Sequence, residues 1–558
     1  MTVKKLVPPP DPLIRIIGDV GRFQLTLFFI TGLSIVIHSW AMLANKWIAY
    51  PVDFWCEKPE YLVEVEPKNW VDIYAPYAKG YTPTERSTKL IDEMENGILE
   101  TIALPIGDKY DRCRIFEMDY YIGRPNRTEN LARKCMEFEY DSSAYQNTIT
   151  ERFGLICEYQ TYPRLGQSIF FAGTFFGVFT SGYLSDHFGR MKAYRLFLFL
   201  WVVFGIAGAF APDFWSWSLF RFICGGASIA FNTCQTVYCV ELAGFRWRSY
   251  TNSFFRAFPF ALGHVTLGLL VYLIPNMVHL EIFIGCSGIP FLIISFFLPE
   301  SPKWLLVNGR YDEAITIIER ACKVNGIVPK QEDLDALKEI HDETGDTGKT
   351  WLLFKHPGIR RNMIIMNYCW FCFSMAYFGL IYNTPAFDLD PILVFVIPAI
   401  LDFPVVLSYP FFENSFGRKA MLTGSLLVAG FFLLMTITVP AGWPVIILST
   451  IGLKAAGTAF DGGYCFTREL APTFLRGSAL SLVSGSARLG SVLSPLVASI
   501  HIDGSLNVIL PVLIYGGLTM IAAITSVWLW PETLNTTLPD NLEEAETQAN
   551  TRNRWTYC

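Results

Sequence analysis

The chain has 558 residues, of which 52% are hydrophobic and 17% are charged, and its mean hydropathy is +0.34. Soluble domains are less apolar and carry more charge, so this composition excludes a soluble globular protein and predicts a polytopic membrane protein. The net charge of -6 comes mainly from acidic soluble loops, and it gives no reason to expect a nucleic-acid partner.

Twelve apolar runs are predicted to be membrane helices, because crossing about 30 Å of hydrocarbon takes about 20 helical residues. In chain order, helix 1 to helix 12 are predicted at 24–44, 165–184, 193–211, 216–240, 251–273, 279–298, 362–382, 391–411, 420–440, 443–467, 478–500 and 508–530. The first run is too long for the core of a signal peptide, so we expect helix 1 to be an uncleaved anchor.

Basic residues in the short loops set the orientation of these helices. The loops on one side carry Arg190, Lys192, Arg246, Arg248, Arg418, Lys419, Arg468 and Arg476. The opposite loops, near 212–215, 274–278, 383–390, 441–442 and 501–507, contain no Lys or Arg. The basic side is therefore predicted to be cytoplasmic, with both chain termini on that side.

This orientation gives the predicted domain organisation. It comprises a cytoplasmic N-terminus at 1–23, an N-terminal six-helix bundle at 24–298 with an extracellular loop at 45–163, a cytoplasmic linker at 299–361, a C-terminal six-helix bundle at 362–530 and a cytoplasmic tail at 531–558.

The large loop after helix 1 would then lie in an oxidising compartment. It holds four of the thirteen cysteines, which suggests two disulfides in one of three connectivities: Cys56, Cys113, Cys135 and Cys157. Asn126 opens an Asn-Arg-Thr sequence and is a candidate glycosylation site. These features favour the secretory route and predict a multi-pass protein of the plasma membrane.

The linker between helices 6 and 7 shows helical periodicity from Arg310 to Asn325. Its apolar residues Ala314, Ile315, Ile318, Ala321 and Cys322 recur at helical spacing and predict an amphipathic helix. Further on, Gly348-Lys-Thr350 resembles the end of a phosphate-binding loop, but Glu343 stands where the first glycine is required. No cofactor is therefore expected.

Three landmarks recur between the two halves of the chain. Gly182–Lys192 is repeated by Phe411–Met421, with Asn414 at the Asp186 position, an offset of 228 residues. Glu469 repeats Glu241 at the same offset, and Glu532 repeats Glu300 at an offset of 232. The chain is therefore read as two copies of one unit, and parallel repeats of membrane helices are typical of transporters.

The same landmarks resemble the major facilitator superfamily and, within it, the organic ion transporter family. The superfamily's loop and helix 4 motifs are matched by Gly182, Asp186, Gly189, Arg190, Lys192, Arg221 and Gly225. The narrower family is matched by Pro299–Leu305, Glu469–Thr473 and Ala487–Ser491, together with the large loop after helix 1. The resemblance implies an all-α membrane protein with the major facilitator fold, twelve transmembrane helices in two six-helix bundles.

Arg488 of helix 11 is the most informative charged residue in the predicted membrane region. Its surroundings resemble the anion and carnitine branches of the family, whereas the cation branch usually carries an acidic residue there. A guanidinium can hold a carboxylate through two parallel hydrogen bonds. The alternative is that Arg488 is paired inside the protein, for instance with Asp461.

Lys454 and Asp461 lie seven residues apart in helix 10 and so share one face. Opposite charges on one face suit a zwitterionic ligand, or they serve neighbouring groups of the protein. Val406 stands where anion transporters of the family carry a lysine in helix 8, so zwitterions compete with anions as substrates.

The resemblance also implies an aromatic lining for the central site, because flat rings accept many shapes and attract cations. The positions implied are Tyr377, Phe378, Phe460, Tyr464 and Ser484. His38 and His264 could carry protons or form hydrogen bonds between helices.

A second group of charged residues is interpreted as a cytoplasmic gate whose ion pairs hold the two halves together. The candidates are Asp186, Arg190, Glu241, Arg248, Arg418, Glu469 and Arg476. Arg221 is expected to order this gate or a buried network with helix 1 or 2.

The resulting prediction is a transporter of small organic ions by alternating access, favouring organic anions or carnitine-like zwitterions. The alternatives are an organic cation carrier that uses Asp402 or Asp461 as counter-ion, and a non-transporting receptor on a carrier scaffold. An intramembrane aspartyl protease could use the same two carboxylates, but the expected Gly-x-Gly-Asp is absent. We therefore predict that the protein is not an enzyme.

Overall fold

A computed structural model gives the architecture of most of the chain. The residues that it describes are 12–56, 114–116, 118–119, 124–125, 132–135, 138–142, 144–244, 247, 250–251, 253–329, 334, 337, 350–382, 390–440, 442–472, 475–498, 500, 506–533, 539 and 542–550.

Long helices occupy every predicted membrane span. Helices 1 to 6 are Arg22–Leu43, Tyr162–Phe188, Arg190–Ala209, Phe214–Leu242, Phe258–Leu273 and the interrupted pair Met277–Cys286 and Gly288–Ser295. Helices 7 to 12 are Pro357–Tyr382, Pro391–Phe416, Arg418–Met435, Trp443–Leu470, Arg476–Ala498 and Leu506–Leu529. Within the described residues, eleven of these spans are long and apolar enough to cross a membrane. Helix 4, the remaining span, has 29 residues, with Arg221 and Gln235 among its buried residues.

Helix 1 extends further than the sequence predicts. A short helix, Asn45–Ile48, follows it directly and all four of its residues are buried. Lys46, which the sequence analysis places in the extracellular loop, is therefore buried inside the helical unit, with 3% of its surface exposed.

The remaining helices are short. They are Pro12–Ile17, Ile149–Arg152, Pro302–Val307, Tyr311–Asn325 and Leu542–Asn550, with 3-10 turns at Cys157–Tyr159, Thr350–Phe354 and Thr436–Thr438. The predicted amphipathic helix of the linker is confirmed as Tyr311–Asn325, with Ala314, Ile318, Ala321 and Cys322 buried. Asn325 donates a hydrogen bond to the Ile17 carbonyl (2.9 Å), so this helix is anchored to the helix before helix 1.

The chain divides into two compact units. The helical unit comprises Met1–Ala49, Arg164–Ile274 and Val278–Cys558, and the second unit comprises Tyr50–Pro163 with Pro275–Met277.

Three antiparallel ladders form the described strands of the second unit, and the sequence analysis did not predict them. Phe54–Cys56 pairs with Phe138–Tyr140, Arg114–Phe116 with Ala132–Lys134, and Met118–Asp119 with Arg124–Pro125. Cys135 and Cys157 are each disulfide-bonded. Cys113, Asn126 and the side chain of Cys56 lie outside the described residues.

Helix packing in the helical unit follows the sequence repeat. Helix 1 packs on helices 4 and 5, as helix 7 packs on helices 10 and 11, and the pair of helices 3 and 4 is matched by helices 9 and 10. Helix 5 contacts helix 8 across the halves. Helix 11 makes the corresponding contact with helix 2, and a Cβ on Gly485 would lie 3.0 Å from the Phe179 ring. The helix pairs within the first half therefore match the helix pairs within the second half, and the contacts between the halves match as well.

Candidate substrate and gate sites

Arg488 lies on helix 11 with 5% of its surface exposed. Within the part of the chain that the structure describes, it forms no ion pair or hydrogen bond, and its Nε is buried without a partner. A buried guanidinium without a counter-ion is costly, because it has lost its hydration and gained nothing in return. The site therefore has one positive charge available for a ligand.

Asp461, the partner considered for Arg488 in the sequence analysis, is paired elsewhere. Its Oδ1 accepts a hydrogen bond from Arg256 Nη2 at 2.6 Å, and each side chain is about one-fifth exposed. Arg256 belongs to a π-helical turn, Ser253–Ala257, at the start of helix 5, and such turns are frequent at functional sites. The pair joins the two halves and neutralises both charges.

Tyr464 lies against the Arg256–Asp461 pair, and the other predicted aromatic residues pack on one another. The Arg256 guanidinium lies 4.8 Å from the centroid of the Tyr464 ring. The Tyr377 ring is 5.2 Å from Phe378 and 6.3 Å from Phe460. Phe378 also meets Phe171 of helix 2 at 4.8 Å. The structure thus brings the predicted aromatic residues of helices 7 and 10 together, and Ser484 is buried one helical turn before Arg488.

Lys454 has a partner of its own on helix 8. Its Nζ donates a hydrogen bond to Asp402 Oδ1, and the other carboxylate oxygen lies 3.9 Å from His264 Nδ1 of helix 5. Lys454 and Asp461 are therefore not each other's counter-ions, because helices 8 and 5 supply separate partners. The cluster is composed of one lysine, one aspartate and one histidine.

The remaining predicted polar residues form contacts between helices. His38 Nδ1 lies 2.8 Å from Ser228 Oγ, which links helix 1 to helix 4. Arg221 donates to Asn45 Oδ1 and lies 3.5 Å from Glu281 of helix 6. Arg221 therefore lies in a buried network, but its ion-pair partner comes from helix 6 and not from helix 1 or 2, and both members of the pair are less than 5% exposed.

The first half contains a compact charge network at the loop between helices 2 and 3. Arg190 pairs with Asp186 at 2.6 Å and with Glu241 at 2.8 Å. The second oxygen of Glu241 accepts a hydrogen bond from Ser301 at 2.5 Å. Glu300 accepts the backbone N–H of Met191 at 2.9 Å, so the loop, helix 4 and the chain after helix 6 are tied together.

The second half repeats this network. Arg418 pairs with Glu469 at 3.2 Å and with Glu413 at 3.3 Å. The second oxygen of Glu469 accepts from Thr533 at 2.5 Å, and Glu532 accepts the Arg418 N–H at 3.0 Å. All these pairs lie within one half, which differs from the predicted pairing across the halves. Arg476 donates to the Arg468 carbonyl at 3.0 Å, and Arg248 lies outside the described residues.

Gly189 is the loop position where a side chain is least tolerable. Its φ is +106°, and a Cβ would lie 2.6 Å from Glu300 Oε2. Such a backbone is essentially confined to glycine, so we expect Gly189→Ala to destabilise the protein by about 1–3 kcal/mol. The loss would appear as a lower melting temperature of the purified protein. Gly182→Ala is the control, because its Cβ meets nothing within 4 Å, and equal losses in both variants would contradict this account.

The C-terminal helix Leu542–Asn550 contacts the start of helix 7 through Glu546. The two Glu546 oxygens accept the N–H groups of Gly358 (2.9 Å) and Ile359 (3.0 Å). Burial alone would raise the pKa of Glu546, but these bonds, with Asn550 and His356, outweigh it and lower the pKa from its ordinary value of 4.5. Ionised Glu546 therefore stabilises the contact between the C-terminal helix and helix 7 at a pH above 4.5. This stabilisation is lost as the pH falls through the lowered pKa of Glu546.

A spin label on the exposed position Thr547 would follow this docking. We expect the label to be immobilised at neutral pH and to become mobile as the pH falls below 4.5. In Glu546→Gln we expect mobility at every pH, because the neutral amide offers one acceptor oxygen where the carboxylate offers two. If the mobility of the label in the protein with Glu546 intact did not change with pH, the role of Glu546 would be contradicted.

Lys46 and Glu281 are among the buried charged residues that were not identified from the sequence. Lys46 was missed because the predicted helix 1 ended two residues earlier, and Glu281 because it lies at the edge of the predicted helix 6. Each is followed by apolar residues, Trp47-Ile48 and Ile282-Phe283-Ile284, and this is the signal that indicates burial.

Comparisons with solved structures agree with this architecture. The xylose transporter XylE from E. coli, in a partially occluded inward-open conformation, superposes with a TM-score of 0.59 at 15% identity, over 92% of this chain and 100% of that chain. XylE bound to 6-bromo-6-deoxy-D-glucose gives a TM-score of 0.55 at 21% identity, over 70% of this chain and 90% of that chain. Two packed sets of six helices related by a repeat define the major facilitator fold.

Sequence comparisons identify the family to which the chain belongs. The family model for sugar (and other) transporters matches residues 120–544. Human solute carrier family 22 member 13 is 32% identical over 75% of each chain. Member 6 from Bos taurus is 30% identical over 77% of this chain and 80% of its own. The organic cation transporter protein of Drosophila melanogaster is 28% identical over 96% of this chain and 94% of its own. The chain belongs to the organic ion transporter family of the major facilitator superfamily.

Proposed function

We propose that this multi-pass membrane protein carries small organic anions or carnitine-like zwitterions across the plasma membrane by alternating access. The observation that carries the proposal is the buried guanidinium of Arg488, which has no ion-pair or hydrogen-bond partner among the described residues. Both intramembrane aspartates already have cationic partners, Asp461 with Arg256 and Asp402 with Lys454. The positive charge that remains in the candidate substrate site suits a ligand carboxylate.

The aromatic residues support a zwitterionic ligand as well as a simple anion. Arg488 would hold the carboxylate through a bidentate contact, and the rings of Tyr377, Phe460 and Tyr464 would face the rest of the ligand. An aromatic face attracts a quaternary ammonium, so a carnitine-like molecule could satisfy both parts of the site.

In this proposal the two charge networks serve as cytoplasmic gate elements. Each holds its own half rigid, so that the halves move as bodies about the central site. Asn126 is proposed to be glycosylated on the extracellular side.

The alternative is an organic cation carrier, and the relative from Drosophila melanogaster with that name is the observation in its favour. A cation would have to displace Arg256 from Asp461 or Lys454 from Asp402. Arg488 would then be a structural residue whose charge repels the substrate.

Radiolabelled uptake in oocytes separates these functions. A monocarboxylate, carnitine and a quaternary ammonium would be compared in wild type, in Arg488→Asp and in the control Arg22→Asp, which removes an exposed arginine. Uptake of the carboxylate or of carnitine that is lost only in Arg488→Asp supports the proposal. Uptake of the quaternary ammonium that survives in Arg488→Asp favours the cation carrier, and specific binding without uptake favours a receptor. Surface expression is measured for each variant.

A further inference from the structure

A second group of buried polar side chains lies apart from Arg488, around a cavity of about 20 Å³. Its wall includes Lys46, His264 and Thr450, with Phe395 of helix 8 and Ile381 of helix 7. The volume is enough for a water molecule or a small ion, whereas sites for drug-sized ligands occupy about 300–1,000 Å³. Any ligand held here is therefore monatomic or close to it.

Three polar side chains at this cavity make no hydrogen bond within the described residues, although His264 lies 3.9 Å from Asp402. Lys46 Nζ, both ring nitrogens of His264 and Thr450 Oγ1 are buried without a hydrogen bond to any residue that the structure describes. The three residues are 3%, 1% and 6% exposed. Leaving one such group unpaired costs free energy, and three at one cavity indicate a missing ligand.

The chemistry of this missing ligand follows from the charges around the cavity. Lys46 Nζ lies 4.8 Å from the ring centroids of both Trp47 and Phe395, and no carboxylate within the described residues pairs with it. Aromatic faces stabilise a cation only partly. Asp402, the acidic residue beside His264, already bonds Lys454. Apart from His264, the two lysines and the one aspartate carry one positive charge more than they balance.

We propose that this cavity binds a small monovalent anion, with chloride as the test ligand. The Lys46 ammonium would supply the charge, and Thr450 Oγ1 and a ring N–H of His264 would donate hydrogen bonds. The occupied site would join helices 1 and 5 of the first half to helices 7, 8 and 10 of the second half. Anion binding therefore stabilises the arrangement in which these helices are together.

The test uses the purified full-length protein and needs no transport. Its melting temperature is measured while sodium chloride replaces sodium gluconate at constant ionic strength. We expect a saturable rise in wild type, a similar rise with bromide, and no rise in Lys46→Met. Removing an unpaired buried charge should not prevent folding, so Lys46→Met remains measurable. Thr450→Val should weaken the apparent chloride affinity about tenfold.

Two further variants test whether the chloride response arises at this cavity and not elsewhere in the protein. Lys419→Met removes a buried lysine at the start of helix 9 and should keep the chloride response. Arg488→Gln should also keep it, because the proposed substrate site is separate. The proposal is overturned if wild type shows no response, which would indicate a cavity that holds only water. It is also overturned if Lys46→Met responds like wild type, or if the response is lost in Arg488→Gln instead.

Discussion

Arg488→Gln is expected to lower kcat/KM for a carboxylate substrate about 30-fold or more, because removing one member of a buried charge pair costs about 2–5 kcal/mol. Arg488→Lys should recover part of the loss, since it restores the charge but not the planar bidentate contact. Initial rates of uptake over a range of substrate concentrations, normalised to surface protein, measure both effects.

The matched control is Arg22→Gln, which removes an exposed arginine at the start of helix 1. It should leave the kinetics unchanged. If Arg488→Gln and Arg488→Lys were to transport the carboxylate as wild type does, Arg488 would not contact the substrate.

Removing one member of the Arg221–Glu281 pair is expected to cause a large loss of stability. Both side chains are less than 5% exposed, so Glu281→Gln leaves Arg221 as an uncompensated buried charge. The expected cost is about 3–5 kcal/mol. Thermal unfolding of the purified protein and the fraction that elutes as a single species measure this loss.

A double variant separates charge from packing at this pair. Adding Arg221→Met to Glu281→Gln should restore most of the stability, because no buried charge then lacks a partner. Glu313→Gln makes the same change in the exposed pair with Arg310 and should cost about 0.5 kcal/mol or less. A Glu281→Gln protein as stable as wild type would show that Glu281 does not compensate Arg221.

The helices and the twofold repeat could be predicted from sequence because both depend on local patterns. Apolar runs predict the membrane spans. Gly189 and Gly417 occupy equivalent positions in the two halves because the backbone there has a positive φ, +106° and +98°. The repeat in sequence then predicts a repeat in packing, which the matching pairs of helices confirm.

The partners of the buried charges could not be predicted, because they depend on which helices meet. Asp461 is paired with Arg256 from the other half, 205 positions away, and no spacing rule connects them. Lys46 was missed for a different reason. The helical segment continues a few residues beyond the predicted end of helix 1, so a lysine that was predicted to lie in the loop is buried.

The two loop networks also have a consequence for biosynthesis. Among the described residues, every partner of Arg190 and Glu241 other than each other lies before residue 302, in Asp186, Ser185 and Ser301. The first half can therefore complete its ionic contacts while the ribosome is still translating the second half, which makes the nascent N-terminal half a candidate for independent assembly in the membrane.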